Sequence, residues 1–221
     1  MRIVLLGPPG AGKGSLATLY RERLHVPHLS TGHIFREEIA RNSLLGRRVS
    51  AYVTRGLLVP NKLVIEVMAH RLSCREDSAR GFVLDGFPRT RGQAAGLDGV
   101  LRRHHQALDG AVYLTSPTAL LVRRLSGRRV CSRCGTNYHV RTMRPARAGR
   151  CDRCDGALII RKDDLPETIR KRLAIDRNAA TPLLDYYRKR GLLFLIDGAG
   201  RVEIVYRRTM GLFRRQGWLE K

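Results

Sequence analysis

Two stretches of the chain carry residue types at spacings that could do chemistry. The first is Gly7-Pro8-Pro9-Gly10-Ala11-Gly12-Lys13-Gly14-Ser15, directly behind the apolar run Ile3-Val4-Leu5-Leu6. A strand that enters a glycine-rich turn and leaves as a helix aims successive backbone N–H groups into one concavity, and the helix adds its positive dipole end. Glycine suits such a turn because a Cβ would block a phosphate and because several positions need positive φ. Gly10, Ala11, Gly12 and Gly14 are therefore candidates to cradle phosphates, Lys13 to reach the outer ones, and Ser15 to ligate Mg2+. The usual pattern puts Ser or Thr directly after the lysine, whereas here Gly14 intervenes.

The second stretch is Cys131-Ser132-Arg133-Cys134 with Cys151-Asp152-Arg153-Cys154, which reads C-x2-C-x16-C-x2-C. Two such knuckles at this separation are a signature of tetrahedral Zn2+. Four cysteines leave no coordination position for water, so the metal is expected to be structural. Disulfides are the competing reading, but nothing else in the sequence points to an oxidising compartment. Residues 127–164 are poor in periodic apolar residues, and metal binding is expected to supply much of their folding free energy. They hold ten basic and four acidic residues, and four thiolates on one Zn2+ leave the segment at about +4. A basic flap of this kind suits covering a polyphosphate or gripping nucleic acid. Cys74 stands apart in a helical stretch and reads as a small buried hydrophobe.

The elements that must position these residues follow from the hydrophobic pattern. At 221 residues and 43% hydrophobic content the chain has room for a substantial core. No apolar stretch has the length of a membrane span, and Gly7-Pro8-Pro9 cuts short the first one, so no signal peptide and a cytoplasmic location are expected. Residues 13–24 read as a helix with Leu16, Leu19 and Tyr20 on one side. Ser30 or Thr31 is placed to cap a helix near His33, and residues 33–69 read as short helices broken at Gly46, Gly56 and Pro60. Phe82–Asp85, Ala111–Leu114 and Leu192–Ile196 read as further buried strands. From about Val202 a last helix shows Val202, Val205, Tyr206, Met210 and Phe213 at helical spacing. Apolar strands alternating with helices imply an α/β fold, a parallel sheet with helices on both faces.

The net charge is +23, with 42 Lys+Arg against 19 Asp+Glu, and only six of the basic residues are lysines. Such a balance fits a nucleic-acid binder, a nucleotide enzyme that clamps phosphates with arginine, or compositional bias.

In these blocks the chain resembles the adenylate kinase family, in its form with a zinc-bearing lid, essentially from end to end. That family also places glycine between the lysine and the hydroxyl residue of its phosphate loop. Leu29-Ser30-Thr31-Gly32 with Arg36 is similar to the segment lining the monophosphate pocket, and Gly56-Leu57-Leu58-Val59-Pro60 to the stretch around the AMP base. Leu84-Asp85-Gly86-Phe87-Pro88-Arg89-Thr90 with Gln93 is the most diagnostic block. Gly127-Arg128-Arg129 enters the lid, Arg161-Lys162-Asp163-Asp164 leaves it, and Glu167 to Arg172 follows as in the family.

The resemblance implies a P-loop kinase-type sheet of residues 1–29, 60–126 and 165–221, a small helical AMP-binding insert at 30–59, and a zinc-binding lid at 127–164. It implies transfer of the γ-phosphoryl of ATP to AMP, giving two ADP, by a monomer that uses Mg2+ with ATP and holds structural Zn2+ on Cys131, Cys134, Cys151 and Cys154. Lys13, Arg89, Arg128, Arg161 and Arg172 fall on catalytic positions. Gly10 to Ser15 with Arg124 and Arg128 fall on ATP positions, and Ser15 and Asp85 on those that hold Mg2+. Thr31, Arg36, Leu57, Val59, Gly86, Arg89, Gln93, Arg161 and Arg172 fall on AMP positions.

The chain departs from the family in three places. His33 stands where the family has aspartate, and an imidazole cannot supply that negative charge; it reads either as a surface histidine at a helix start or as a change that weakens Mg2+ placement, alters the monophosphate preference or partly removes activity. Asn61-Lys62 replaces an acidic pair, though Asn still suits a helix cap, and Asp176-Arg177 replaces a stretch that often holds an aromatic residue. Two alternatives stay open here: a monophosphate kinase with another base preference, and a weakened kinase fold that binds nucleic acid through its arginines and zinc knuckles. Against the latter, aromatic residues for base stacking make up only 6% of the chain.

Overall fold

The computed structural model describes residues 1–73 and 81–219, so Cys74 lies outside the described residues. The chain begins β1 (Arg2–Leu6), α1 (Lys13–Leu24), β2 (His28–Ser30), α2 (Thr31–Ala40), α3 (Leu44–Arg55), α4 (Asn61–Ser73) and β3 (Phe82–Asp85). It continues α5 (Arg91–Arg103), β4 (Gly110–Thr115), α6 (Thr118–Ser126), β5 (Arg128–Cys131), β6 (Asn137–His139) and β7 (Leu158–Ile159). A 3-10 turn (Lys162–Asp164) then leads to α7 (Pro166–Arg188), β8 (Leu193–Asp197) and α8 (Val202–Arg215).

Five strands form one parallel sheet in the order β2-β3-β1-β4-β8. Alternate side chains of a strand point to opposite faces, and here both faces are covered. Val4, Leu6, Phe82 and Leu84 meet Leu63 and Met68 of α4, Leu97 and Leu101 of α5, and Leu183 and Tyr187 of α7. Ile3, Leu5, Val83 and Val112 meet Leu16 and Tyr20 of α1 and Val205 and Phe213 of α8. Burial on both faces is why the inner strands read as unbroken apolar runs. The edge strand β8 is less enclosed, and Leu195 is exposed. No helix among the described residues is long and apolar enough to cross a membrane.

Because β1 lies between β3 and β4, the chain leaves it toward β2 and β3 on one side and β4 on the other. Such a reversal opens a crevice at the carboxyl ends of the strands, where α/β folds bind ligands. The glycine-rich turn and Asp85-Gly86 both lie at that end.

The expected break at Gly46 does not occur. Gly46 lies within α3, and the chain turns at Asn42 (φ 50°) and Ser43, whose hydroxyl caps α3 by accepting from Gly46 N at 2.9 Å. Glycine is needed there for proximity: a Cβ would stand 2.1 Å from the carbonyl oxygen of Glu38, where α2 and α3 pack together. Gly56 and Pro60 do fall in the break between α3 and α4.

Residues 127–164 form their own antiparallel sheet, β6-β5-β7. Its buried cluster is only Cys131, Tyr138 and Cys151, with Cys154 and Leu158 partly buried against them.

Alanine for glycine ordinarily stabilises a helix interior by about 1 kcal/mol. Gly46→Ala should do the reverse, costing roughly 1–3 kcal/mol through overpacking and lowering the thermal midpoint. An unchanged or raised midpoint would show that α2 and α3 can separate without cost.

Candidate active site

The turn after β1 has the conformation that its glycines predict, with positive φ at Gly7, Gly10 and Gly12. Gly7 also allows a close approach to β4, because a Cβ there would lie 2.7 Å from the Leu114 carbonyl oxygen. Gly12 caps α1 in the left-handed conformation with no side-chain acceptor for the first-turn N–H groups. Those donors are thus directed to whatever lies in the turn. Lys13 Nζ curls back over the turn and donates to Gly7 O at 2.5 Å and Pro8 O at 3.0 Å. Burial lowers the pKa of this ammonium, and Asp85 opposes the shift. From behind, the Arg124 guanidinium donates to Gly200 O at 2.7 Å and approaches Gly10 O and Ala11 O at 3.4 Å, bracing the turn against the segment before α8.

Asp85 ends β3, in register with Leu5 and Ser30. Its Oδ2 lies 3.6 Å from His28 Nε2 and 3.5 Å from where a Cβ on Gly14 would be, so it faces the first turn of α1 beside Ser15. Burial pushes the Asp85 carboxyl up, but His28, Lys13 and Arg89 outweigh it and hold the group below its ordinary value. An ionised carboxylate facing the helix turn that carries Ser15 offers hard oxygen ligands of the kind Mg2+ takes. The chain then turns at Gly86 (φ 78°), whose carbonyl accepts from Thr31 Oγ1 and from Arg89 Nε, each at 2.9 Å. Gln93 is buried just beyond, with Oε1 accepting from Arg89 N at 2.8 Å.

Across the cleft, three arginines share two carboxylates. Arg128 binds Asp164 bidentately through Nε (2.7 Å) and Nη2 (2.5 Å), and Arg161 grips Asp163 through Nε and Nη2. Arg172 Nη1 reaches both acids, Asp164 Oδ1 at 3.0 Å and Asp163 Oδ2 at 3.1 Å. Burial brings the pKa of Arg172 down to about 10 and that of Arg36, which also feels Arg161, to about 9. Both remain cations at neutral pH. Gly56 packs directly on Arg172, whose Cγ would be 2.6 Å from a Cβ there; Leu57 follows it in the chain, and Val59 is buried. Lys13, Gly86, Arg89 and Arg172 line one cleft, together with Asp176.

The small second sheet approaches the phosphate loop and α1. Asn137 Nδ2 comes within 4.0 Å of the Cβ position of Gly14, and Arg153 pairs with Glu22 of α1. His33 pairs with Glu37 at 3.4 Å and sets its ring against Gly135, so this departure lies where residues 127–164 meet α2. The four cysteine Sγ atoms lie within 4.8 Å of one another. The nearest pairs, 3.4 and 3.5 Å apart, are too distant for a disulfide and near the roughly 3.8 Å spacing of sulfurs around tetrahedral zinc. Backbone N–H groups of Arg133 and Cys134 donate to Cys131 Sγ, and the Tyr138 hydroxyl donates to Cys151 Sγ and holds that thiol at about 6. Donors of this kind favour thiolate, so the quartet fits a zinc site.

Of the expected residues, Lys13, Gly86, Arg89 and Arg172 line one cleft, Arg128 and Arg161 join Arg172 through the two acids, and Arg124 binds carbonyls of the phosphate loop. Sequence reasoning gave no role to Asp163, Asp164 or His28. Their signal is only adjacency: two acids follow Arg161, and His28 sits one strand from Asp85. Asn61, expected as a cap, begins α4 with its side-chain oxygen engaged by Thr90 and Gln93.

The profile of the adenylate kinase family matches residues 5–192. An adenylate kinase of Moorella thermoacetica is 47% identical over 205 residues, covering 93% of this chain and 94% of that protein. Those of Clostridium tetani (44% over 198 residues, 90% and 91%) and Thermosipho melanesiensis (43% over 215 residues, 97% and 100%) are similar to a like degree.

Asp163 supplies a pH test. Burial pushes its carboxyl up, but Arg161 and Arg172 outweigh this and hold it well below the usual carboxylate range. A depressed folded-state pKa contributes stability above the unfolded value of about 3.9 that is lost as pH falls through the folded one. Urea unfolding should therefore show wild type losing more stability than Asp163→Asn between pH 5 and pH 3. Equal losses would mean that the arginines do not hold this charge.

Proposed function

The chain belongs to the adenylate kinase family, and on that premise we propose how its residues divide the work of converting ATP and AMP into two ADP. The observation that carries the assignment is a cleft lined by Lys13, Arg89 and Arg172, with Arg36, Arg128 and Arg161 clustered around Arg172, and with Asp85, Asp163, Asp164 and Asp176 as the acids that balance these six cations. That surplus of cations suits two polyanions that must be brought together.

The phosphate loop, Gly10 to Ser15, takes the ATP phosphates, and Arg124 supports it from behind. Arg36 and Arg89 take the AMP phosphate beside Thr31 and Gly86, and Leu57, Val59 and Gln93 take its base. A phosphate oxygen of AMP attacks the γ-phosphorus, and the oxygen bridging the β- and γ-phosphates leaves with ADP. The acceptor is already an anion, so no side chain needs to remove a proton. Lys13, Arg128, Arg161 and Arg172 align the groups and neutralise charge spread over the transferring oxygens. Ser15 and Asp85 would hold the Mg2+ that accompanies ATP, which when bound neutralises polyphosphate charge.

We assign residues 30–59 as the AMP-binding insert, 127–164 as a zinc-stabilised lid that excludes water, and the remainder as the core. We take the protein to act as a monomer, as the resemblance to this family implies. A thiol quartet shaped for a metal supports a reducing, cytoplasmic setting. Membership in this family does not favour the nucleic-acid reading.

Purified protein given Mg2+-ATP and, separately, AMP, CMP, UMP and GMP should form ADP rapidly with AMP. Arg89→Ala should lower turnover by about 10²–10³-fold, the scale for one transition-state donor. Full turnover in that variant would remove Arg89 from the site. Elemental analysis should find about one zinc per chain, and a strong chelator should lower the thermal midpoint by melting the lid first. A metal-free protein of unchanged stability and activity would contradict the zinc assignment.

A further inference from the structure

Asn61 sits in a hydrogen-bond network that the reaction as described leaves unused. Its Oδ1 accepts from Gln93 Nε2 at 3.1 Å and from Thr90 Oγ1 at 3.0 Å. Thr90 Oγ1 in turn accepts from Gln93 N at 3.1 Å, capping α5. Arg89 N donates to Gln93 Oε1 at 2.8 Å. That last bond fixes the direction of all the others, because a backbone N–H can only donate and the Gln93 atom facing it must be oxygen. The amide nitrogen then faces Asn61, which must answer with its own oxygen. Gln93 is buried, so a flipped amide would set two donors against each other without water to relieve them.

We propose that Asn61 is a positioning residue for base selection: with Arg89 N it locks the Gln93 amide in one of its two orientations. This rests on the assignment of Gln93 to the AMP base. Locked this way, Gln93 keeps one N–H to give and one oxygen lone pair to receive. That pair matches a 6-aminopurine, whose ring nitrogen accepts and whose exocyclic amine donates. A 6-oxopurine presents the reverse, so both contacts would fail, and unpaired polar groups in a closed site discriminate strongly. Asn61 follows Leu57–Val59 by two residues, which puts the lock on the segment assigned to the base. Gly92 makes room for it, since a Cβ there would stand 2.8 Å from Asn61 Nδ2.

The test is kcat/KM for AMP against inosine monophosphate, which differs in the base only at this edge. Asn61→Leu should reduce the AMP preference about tenfold, mainly through KM for AMP, while Asn61→Asp, which keeps an oxygen in place, should restore most of it. Gly92→Ala should erode the preference in the same sense although alanine favours the helix, which keeps the test open should Asn61→Leu fold poorly. Unchanged preference in both Asn61→Leu and Gly92→Ala, with Gln93→Leu abolishing it, would overturn the role of Asn61 alone. Unchanged preference in Gln93→Leu would overturn the assignment of the base to Gln93, and this proposal with it.

Discussion

The rest of the structure depends on holding several cations together in a cleft that is only partly open to water. Like charges at close range repel, and burial removes the solvent that would screen them. Asp163 and Asp164 answer this by bridging Arg128, Arg161 and Arg172, and Asp164 is almost wholly enclosed. Both acids lie in the short turn where the lid returns to α7, so the segment that carries the lid also carries the counter-charges. Asp85 plays the same part for Lys13 at the other wall. A cleft with more acids would repel phosphate, and one with fewer would not hold its arginines in place.

Residues 127–164 answer a related constraint. The segment is basic, and a small basic segment has little apolar surface with which to fold. Its packed cluster is three residues, two of them cysteines, and the four-cysteine group that fits zinc stands where a hydrophobic core would. It meets the rest of the chain through Arg153 with Glu22, Asn137 over Gly14, and the His33 ring on Gly135.

What the sequence revealed follows the range of the interaction. Strands buried on both faces, the phosphate loop and the paired cysteines are local patterns, and each was legible because its residues are neighbours in the chain. Gly46 was misread because glycine usually marks a break, whereas here it marks where α3 crosses α2, a fact of tertiary packing. Asp163 and Asp164 were visible as letters but not as counter-ions, since Arg128 lies more than thirty residues away in sequence. Asn61 looked like a helix cap for the same reason: its partners Thr90 and Gln93 arrive from another helix. His33 was read against a missing carboxylate, and only the folded lid gives it Gly135 as a neighbour.

The preference for arginine over lysine in this cleft has a physical basis beyond geometry. Burial brings Arg36 down to about 9 and Arg172 to about 10, and both stay charged at neutral pH. Burial lowers the pKa of any cation, and lysine starts roughly two pH units below arginine, so it has less margin to stay charged at such a position. Lysine also lacks the planar fork that lets Arg128 and Arg161 each hold a carboxylate with two bonds. The one lysine among these groups, Lys13, stands beside Asp85, which raises its pKa against the effect of burial. Arginine thus keeps its charge where burial is deep, and the lysine of this site has a carboxylate that opposes the effect of burial.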